Sequence, residues 1–422
     1  MPRTCLLNSF KAAIKAADPK HIVPKHLPDP PKGRTLVIGA GKAAAAMALA
    51  VENHWPHDAP IDGLVITRYG HSLVTQKIKV VEAGHPLPDD NGVQASHQIL
   101  TMTKALGAED LLLCLFSGGG SSLLSLPIPS IALQDLRELT HQLLCCGATI
   151  QEVNAVRKHL SAIQGGRLAA ICHAPIHALI ISDVTGDDPT HIASGPCTPD
   201  PTTYADAIAV INKYHIEAHA TIKQALLAGS QQQLDETPKP GCHFFTQVEN
   251  KIIASANQSL LAAQIYFQKN NIAALIQDEA VTGEARNVGK AYATLTREFN
   301  QRSQLLKPPV ALLSGGETTV TVKGRGCGGR NTEFLLSLLI ALNGLEKVYA
   351  IACDTDGIDG SENNAGAIIT PDSLHRAKAL GMNTESFLAN NDSYHFFEKL
   401  DDLIMTGPTY TNVNDYRAIL IL

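Results

Sequence analysis

Leu111 to Phe116 runs for six residues without a charged or hydroxyl side chain and stops abruptly at Ser117-Gly118-Gly119-Gly120-Ser121-Ser122. A strand with one wet face alternates apolar and polar residues. An unbroken apolar run needs cover on both faces, which is the situation of an inner strand in a parallel sheet. The same pattern recurs in "TLVIGAG", "IHALIISDVTGDD", "VALLSGGETTVTV" and "VYAIACDTDGIDG". Between these runs lie segments of helical period: Leu7 to Ala17, the alanine-rich stretch after Lys42, Asn91 to Gly107, Gln134 to Cys146, Ile150 to Ala170 and "NTEFLLSLLIALNG". Strands alternating with helices predict an α/β protein, Rossmann-like, with a parallel sheet covered on both sides. In such sheets ligands bind outside the carboxyl ends of the strands, and each of these runs breaks into glycines or carboxylates at that end.

At 422 residues, 45% of them hydrophobic, the chain exceeds one ordinary core. The reading is a Rossmann-like N-terminal domain over 1–238 and a smaller α/β domain over 239–422, joined at the polar, turn-rich "QQQLDETPKPG". A formal charge of −6 and a pI near 6.3 leave no basic footprint for a phosphate backbone, so nucleic acid is not an expected partner. Nine cysteines without a CxxC pair read as reduced thiols and not as a zinc site. "MPRTCLLNSFKAAIKAADPK" lacks the apolar core of a secretory leader, and no segment reaches the roughly 18 apolar residues of a membrane span. A cytoplasmic protein with no membrane partner is expected; a homo-oligomer is compatible with the sequence.

Gly39, Gly41 and Ala44 in "VIGAGKAAAA" fit the dinucleotide spacing GxGxxG/A between strand and helix. The next strand, "GLVIT", ends at Thr67 and Arg68, where a ribose-binding carboxylate is missing. Lys42 stands in the turn itself, at a helix amino terminus, so a phosphate or carboxylate suits the place better than a nicotinamide cofactor. Ser117 to Ser122 offers successive amides and hydroxyls at a strand end, an arrangement that can wrap an anion. "SDVTGDDP" places Asp183, Asp187 and Asp188 past another apolar run, suited to holding magnesium or taking a proton from a hydroxyl. "KGRGCGGRN" has Gly324, Gly326 and Gly329 at GxGxxG spacing, with Arg325 and Arg330 able to grip a planar anion. Glu317, Asp354, Asp356 and Asp359 also fall near strand ends, but "DTDGIDG" lacks the terminal glutamate of a calcium loop.

With these residues in hand, the chain resembles the glycerate 2-kinase family, which pairs a Rossmann-like domain with a MOFRL-type C-terminal domain. The likeness rests on "GAGKAA", "EAGHPLPD", "FSGGGSSLL", "NAVRKHLSAIQGGRLA", "SDVTGDDP", "IASGPCTPDPTT", "LLSGGETTVTVKGRGCGGRNTE" and "DTDGIDG", in that order along nearly the whole chain. The resemblance implies transfer of the ATP γ-phosphate to the 2-hydroxyl of D-glycerate, with a divalent metal, Mg2+ being the expected ion, in a cleft between domains. Lys42 then matches the family's catalytically important lysine, Arg330 its cleft arginine, and Asp183 and Asp188 its acidic strand-end motif; residue chemistry, not the resemblance, makes Asp188 the expected catalytic carboxylate and Asp183 and Asp187 the expected metal ligands. Gly39, Gly41, Ser117, Gly118, Gly119, Gly120, Ser121, Ser122 and Arg325 are expected, from their own anion-binding chemistry, on the nucleotide and substrate side. His191 and Cys197 depart from the expected residue types in a neighbouring loop. Two other readings are an NAD(P)H-dependent hydroxypyruvate reductase, kept alive by "GAGKAA" and Arg68, and a non-catalytic nucleotide or sugar-acid sensor on the same fold.

Overall fold

The apolar runs fold as strands of two six-stranded sheets. The structure, a computed structural model, describes residues 2–301 and 308–422. By contacts the chain forms two compact units, Pro19–Ile253 and Met1–Asp18 with Ala254–Leu422.

The sheet of the Pro19–Ile253 unit contains β1 (Thr35–Ala40), β2 (Ile61–Arg68), β3 (Ile78–Ala83), β4 (Leu111–Phe116), β5 (Ile176–Ile181) and β6 (Val248–Ala254). Its order is β3-β2-β1-β4-β5-β6, and the pairings from β3 through β5 are parallel. All six residues of β1 and of β4 are buried, as their unbroken apolar character requires. One face packs Leu36, Ile38, Cys114 and Phe116 against Ile99, Leu123 and Leu168. The order of strands reverses between β1 and β4, and their carboxyl ends there form the switch point at which α/β sheets hold ligands.

The other sheet contains β7 (Ala273–Val281), β8 (Val310–Gly316), β9 (Val348–Asp354), β10 (Gly366–Ile369), β11 (Leu403–Ile404) and β12 (Asp415–Ile421). Its order is β11-β10-β9-β12-β8-β7, with β7 and β8 parallel and the remaining pairs antiparallel. This mixed sheet differs from the simple strand-helix alternation read from the sequence. The chain's last strand, β12, inserts antiparallel between β8 and β9.

The boundary differs from 238/239. The stretch 231–241 is no free linker: 231–235 are exposed, but Thr237 is buried, its hydroxyl donates to Asp200 Oδ2 at 2.9 Å, and Glu236 accepts the Tyr204 amide at 3.0 Å. The chain then adds β6 to the parallel sheet before leaving it. The first helix, Pro2–Ala16, belongs with the C-terminal sheet. Its stripe Leu6, Phe10 and Ala13 is buried against Ala418 and Leu420, and Tyr416 donates to Ser9 Oγ at 2.7 Å. A helix with one apolar face needs a sheet face to cover, and sequence distance does not decide which. The expected helix Ile150–Ala170 is interrupted: it runs Ile150–His159 and resumes only at Arg167–Ala170, past the left-handed Gly165 and Gly166.

Candidate active site

At the switch point β1 gives way to Gly41 and Lys42, and β4 to Ser117–Ser122. The two turns are stitched together by their backbones. Ser117 N–H donates to Ala40 O at 3.1 Å, Lys42 N–H to Gly118 O at 2.9 Å, and Ala43 N–H to Ser117 Oγ at 3.0 Å. A methyl group on Gly41 would sit 2.1 Å from Ser117 Oγ, so the close approach demands glycine there. Gly119, at φ 79°, has the His85 ring 2.6 Å and Lys42 Cγ 3.5 Å from where a Cβ would stand. Lys42, His85 and the glycine loop therefore share one side of the sheet edge.

The amides divide differently from the sequence reading. Those of Gly41, Lys42, Ala43 and Ala44 are consumed by Ile66 O, Gly118 O, Ser117 Oγ and Gly41 O. The turn before the helix Ala44–His54 thus brings a lysine side chain and few spare N–H groups. In the β4 loop, by contrast, the N–H groups of Gly118 and Gly119 have no acceptor among the described residues.

A strained segment supports the loop from behind. Ala193, Ser194 and Gly195 are consecutively left-handed, at φ 50°, 57° and 59°. Such backbone persists where its surroundings hold it, and it gathers at functional sites. Ser194 Oγ lies 2.9 Å from Ser121 Oγ and 3.0 Å from Asn154 Oδ1, while Asn154 Nδ2 donates to His191 O at 3.2 Å. Gln164 Nε2 donates to Ser121 O at 2.8 Å and Leu124 O at 2.9 Å. Sequence reasoning passes over Asn154, Gln164 and Ser194 as individuals. Their signal is the placement of "NAVRKHLSAIQGG" and "IASGP" among the family motifs.

Asp183, Asp187 and Asp188 follow β5. Asp188 is exposed and accepts the Thr190 amide at 2.9 Å, with His191 Nε2 3.8 Å away. Burial pushes its carboxyl up, but the hydrogen bonds from Thr190 and the nearby His191 and Lys158 bring it below the ordinary range. It is ionised at neutral pH. Asp187 occupies a left-handed turn position at φ 54°. Among the described residues no three His, Cys, Asp or Glu side chains gather as a metal cage. A magnesium ion held here would take one or two carboxylates and fill its shell with phosphate oxygens and water, its usual manner of binding beside nucleotides.

The other unit corrects the reading of the second glycine cluster. Its loop is not an open anion cradle, because most of its amides are already spent. Asn391 Oδ1 accepts from Lys323 N–H at 2.8 Å and Gly324 N–H at 2.9 Å; Asn390 O accepts from Gly326 N–H at 2.9 Å; Asp392 Oδ1 accepts from Cys327 N–H at 3.0 Å. Glycines occur at 324 and 326 because a Cβ would stand 2.1 Å from Asn390 O and 2.3 Å from Asp392 Cβ. Asp359 is buried and caps the helix Arg330–Leu342 through the amides of Asn331 and Thr332, both at 2.9 Å. Arg325 is exposed.

Arg330 is the centre of an ion cluster. Its Nε donates to Asp415 at 2.9 Å and its Nη2 to Asp354 at 2.7 Å, while Nη1 faces the half-exposed Glu317 at 3.5 Å. Burial alone would favour loss of the proton, but Asp415, Asp354 and Glu317 outweigh it and push the pKa well up. Two of its three nitrogens are thus committed to holding the ends of β9 and β12.

A Rossmann-order sheet whose switch point carries a lysine and an amide-bearing glycine loop is the framework of an α/β enzyme. The model of a domain of unknown function, DUF4147, matches residues 5–227, and that of the MOFRL family matches residues 310–415. A protein named D-glycerate 2-kinase from Thermotoga maritima is 40% identical over 98% of this chain and 96% of its own. One named putative hydroxypyruvate reductase from Agrobacterium vitis is 46% identical over 99% of this chain and 94% of its own. The crystal structure of a glycerate kinase from Thermotoga maritima superposes with a TM-score of 0.88 at 38% identity, covering 99% of both chains. The chain belongs to the glycerate 2-kinase family, built of DUF4147 followed by MOFRL, and is a phosphotransferase acting on an alcohol group. No helix among the described residues is long and apolar enough to cross a membrane.

Proposed function

We propose that the protein is a glycerate 2-kinase, which transfers the γ-phosphoryl group of Mg-ATP to the 2-hydroxyl of D-glycerate and releases 2-phospho-D-glycerate and ADP. The observation that carries this reading is the stitching of Lys42 to the loop Ser117–Ser122 at the switch point of the parallel sheet. Phosphoryl transfer asks a protein chiefly for alignment and for positive charge around the moving group. The Gly118 and Gly119 amides and the Lys42 ammonium supply donors at one place. Gly39 and Gly41 contribute by letting β1 and its turn lie against β4.

In the proposed step the 2-oxygen attacks the γ-phosphorus, the bond to the bridging oxygen breaks, and ADP leaves with that electron pair. The hydroxyl proton passes to Asp188, which is ionised and hydrogen-bonded by Thr190. Asp183 and Asp187 are the carboxylates assigned to magnesium, which when bound neutralises charge on the phosphates. For Arg330 the reading is narrower: only Nη1 is open to a phosphate oxygen, which would displace Glu317. Arg325, with no carboxylate partner among the described residues, is assigned to the nucleotide.

The names of the Agrobacterium vitis relatives keep a reductase reading in view. Against it, β2 ends at Thr67 and Arg68, with no carboxylate to hold a ribose. ADP release from Mg-ATP on addition of D-glycerate, beside nicotinamide absorbance with hydroxypyruvate, separates the two. Kinase activity gives the first signal and leaves the second flat; the reverse would overturn the proposal.

A further inference from the structure

One cation near the glycine loop has no partner among the described residues. Arg157 is half-buried in the last turn of the helix Ile150–His159, and no carboxylate, carbonyl or hydroxyl described there accepts from its guanidinium. Burial alone acts on it, lowering its pKa to about 10, so it stays charged at neutral pH without a counter-ion. Its sequence neighbour shows what a settled buried cation looks like in this fold: Lys158 faces Asp200 at 3.4 Å.

Arg157 lines a small cavity together with Ser121, Ser122, Ser125, Ser161 and Gln164. The cavity has a volume of about 10 Å³, roughly the centre of a single water. It admits a single oxygen atom of a ligand, the rest of which would lie at its mouth. Two of its walls, Ser121 and Ser122, are the far end of the glycine loop whose Gly118 and Gly119 amides lack acceptors among the described residues. Gln164 is committed to carbonyls of that loop and the Ser122 hydroxyl donates to Gly119 O at 3.2 Å, so the wall is held by its own hydrogen bonds. A partly desolvated guanidinium without a partner is less stable than one in water, and a carboxylate in its fork would offset that cost.

We propose that Arg157 is the residue that binds the carboxylate of the short hydroxy-acid substrate, with the Ser121–Ser125 wall, and so sets the preference for an acid over a neutral alcohol. This rests on the kinase reading, in which the substrate's reacting hydroxyl lies one carbon from its carboxylate. Anchoring that carboxylate at the far end of the loop would direct the neighbouring hydroxyl toward the Gly118–Gly119 end. Arg157 is then a specificity-determining residue, distinct from the cation assigned to the phosphates.

The test compares wild type, Arg157→Met and Arg157→Lys by steady-state kinetics with D-glycerate and with glycerol, and by thermal shift on adding D-glycerate without ATP. The expected result is a KM for D-glycerate raised about 10²-fold in Arg157→Met, with an intermediate rise in Arg157→Lys. KM for ATP should stay within about twofold, and the glycerate-over-glycerol preference should collapse. The thermal shift produced by D-glycerate should vanish in Arg157→Met, while the unliganded melting temperature holds or rises because an unpaired, partly desolvated charge has gone. Wild-type KM for D-glycerate in Arg157→Lys overturns the proposal, as does a Met variant that unfolds while the Lys variant keeps full affinity. If wild type phosphorylates D-glycerate and the variants do so with unchanged KM, the Arg157 assignment fails and the kinase reading stands. If wild type binds D-glycerate through Arg157 but releases no ADP, the kinase reading fails and the carboxylate site stands.

Discussion

The hydroxyl of Ser117 accepts the backbone amide of Ala43 at 3.0 Å, joining the end of β4 to the start of the helix that follows β1. Ser117 is fully buried, so neither partner has water to fall back on. Through this bond and that of Lys42 N–H to Gly118 O, the conformation of the glycine loop and the position of the lysine become one variable.

Lys42→Ala should lower kcat on the order of 10²- to 10³-fold, the usual effect of removing one aligned charged donor from a reacting group. Lys42 is only partly buried, so the melting temperature should change little. Turnover near that of wild type would remove Lys42 from the site.

Ser117→Ala leaves the Ala43 amide unsatisfied in the core and should cost about 1–3 kcal/mol of stability. Turnover should fall with it, because the loop and Lys42 lose their common anchor. Gly119→Ala adds left-handed strain of about 1–2 kcal/mol to contact with the His85 ring. Urea unfolding midpoints and kcat read both. A stable Gly119→Ala enzyme with unchanged kcat would show that the loop conformation is not critical.

Much of this architecture can be read from residue order, for identifiable reasons. β1, β4 and β5 are legible because they are buried on both faces, so no polar residue interrupts β1 beyond its first position and none interrupts β4. β12 is not, because a charged residue stands in its middle. Arg417 is 1% exposed and is held there by Gly315 O, which its Nη1 reaches at 3.0 Å, and by the Asp415 carboxylate at Nη2. A buried arginine paired within its own strand looks, in sequence, like a solvated residue. The second glycine cluster misleads for a similar reason, since the acceptors that consume its amides, Asn390 to Asp392, lie more than sixty positions away. Arg157 is hidden in "VRKHL", which has the composition of an ordinary basic helix end.

The roles of the two glycine loops can be separated by mutation. Asn391→Ala strips acceptors from Lys323 and Gly324 and a donor from Glu333, which it contacts at 2.9 Å. It should destabilise the fold by about 2–4 kcal/mol, since the buried Glu333 carboxylate and two part-buried amides lose partners together. Arg325→Ala, on the exposed tip of the same loop, should leave stability unchanged and raise KM for ATP. If Asn391→Ala changed KM for ATP without loss of stability, the loop would be a nucleotide cradle after all.

Acid stability offers an independent check on the helix that carries Asn154 and Arg157. The Lys213 ammonium, then the Thr149 amide and the Tyr214 hydroxyl, hold Glu152 down from 4.5 to about 2. A carboxyl with a depressed folded-state pKa binds fewer protons folded than unfolded, so its contribution is full above about pH 4.5 and is lost as pH falls toward 2. Glu152→Gln should therefore be less stable than wild type at neutral pH, with the difference narrowing through that window. Melting temperatures of the two proteins from neutral pH down through the window report it, and a gap that stays constant would exclude Glu152 as the titrating group.

The most direct measurement is an enolase-coupled assay with D-glycerate and Mg-ATP, run on wild type and on Lys42→Ala. Phosphorylation of the 2-hydroxyl yields 2-phosphoglycerate, which enolase consumes at once, and the signal should fall at least about 10²-fold in the variant. ADP release that enolase cannot follow would put the phosphate on another oxygen. An enolase signal undiminished by loss of Lys42 would contradict a phosphoryl-transfer site at the junction of β1 and β4.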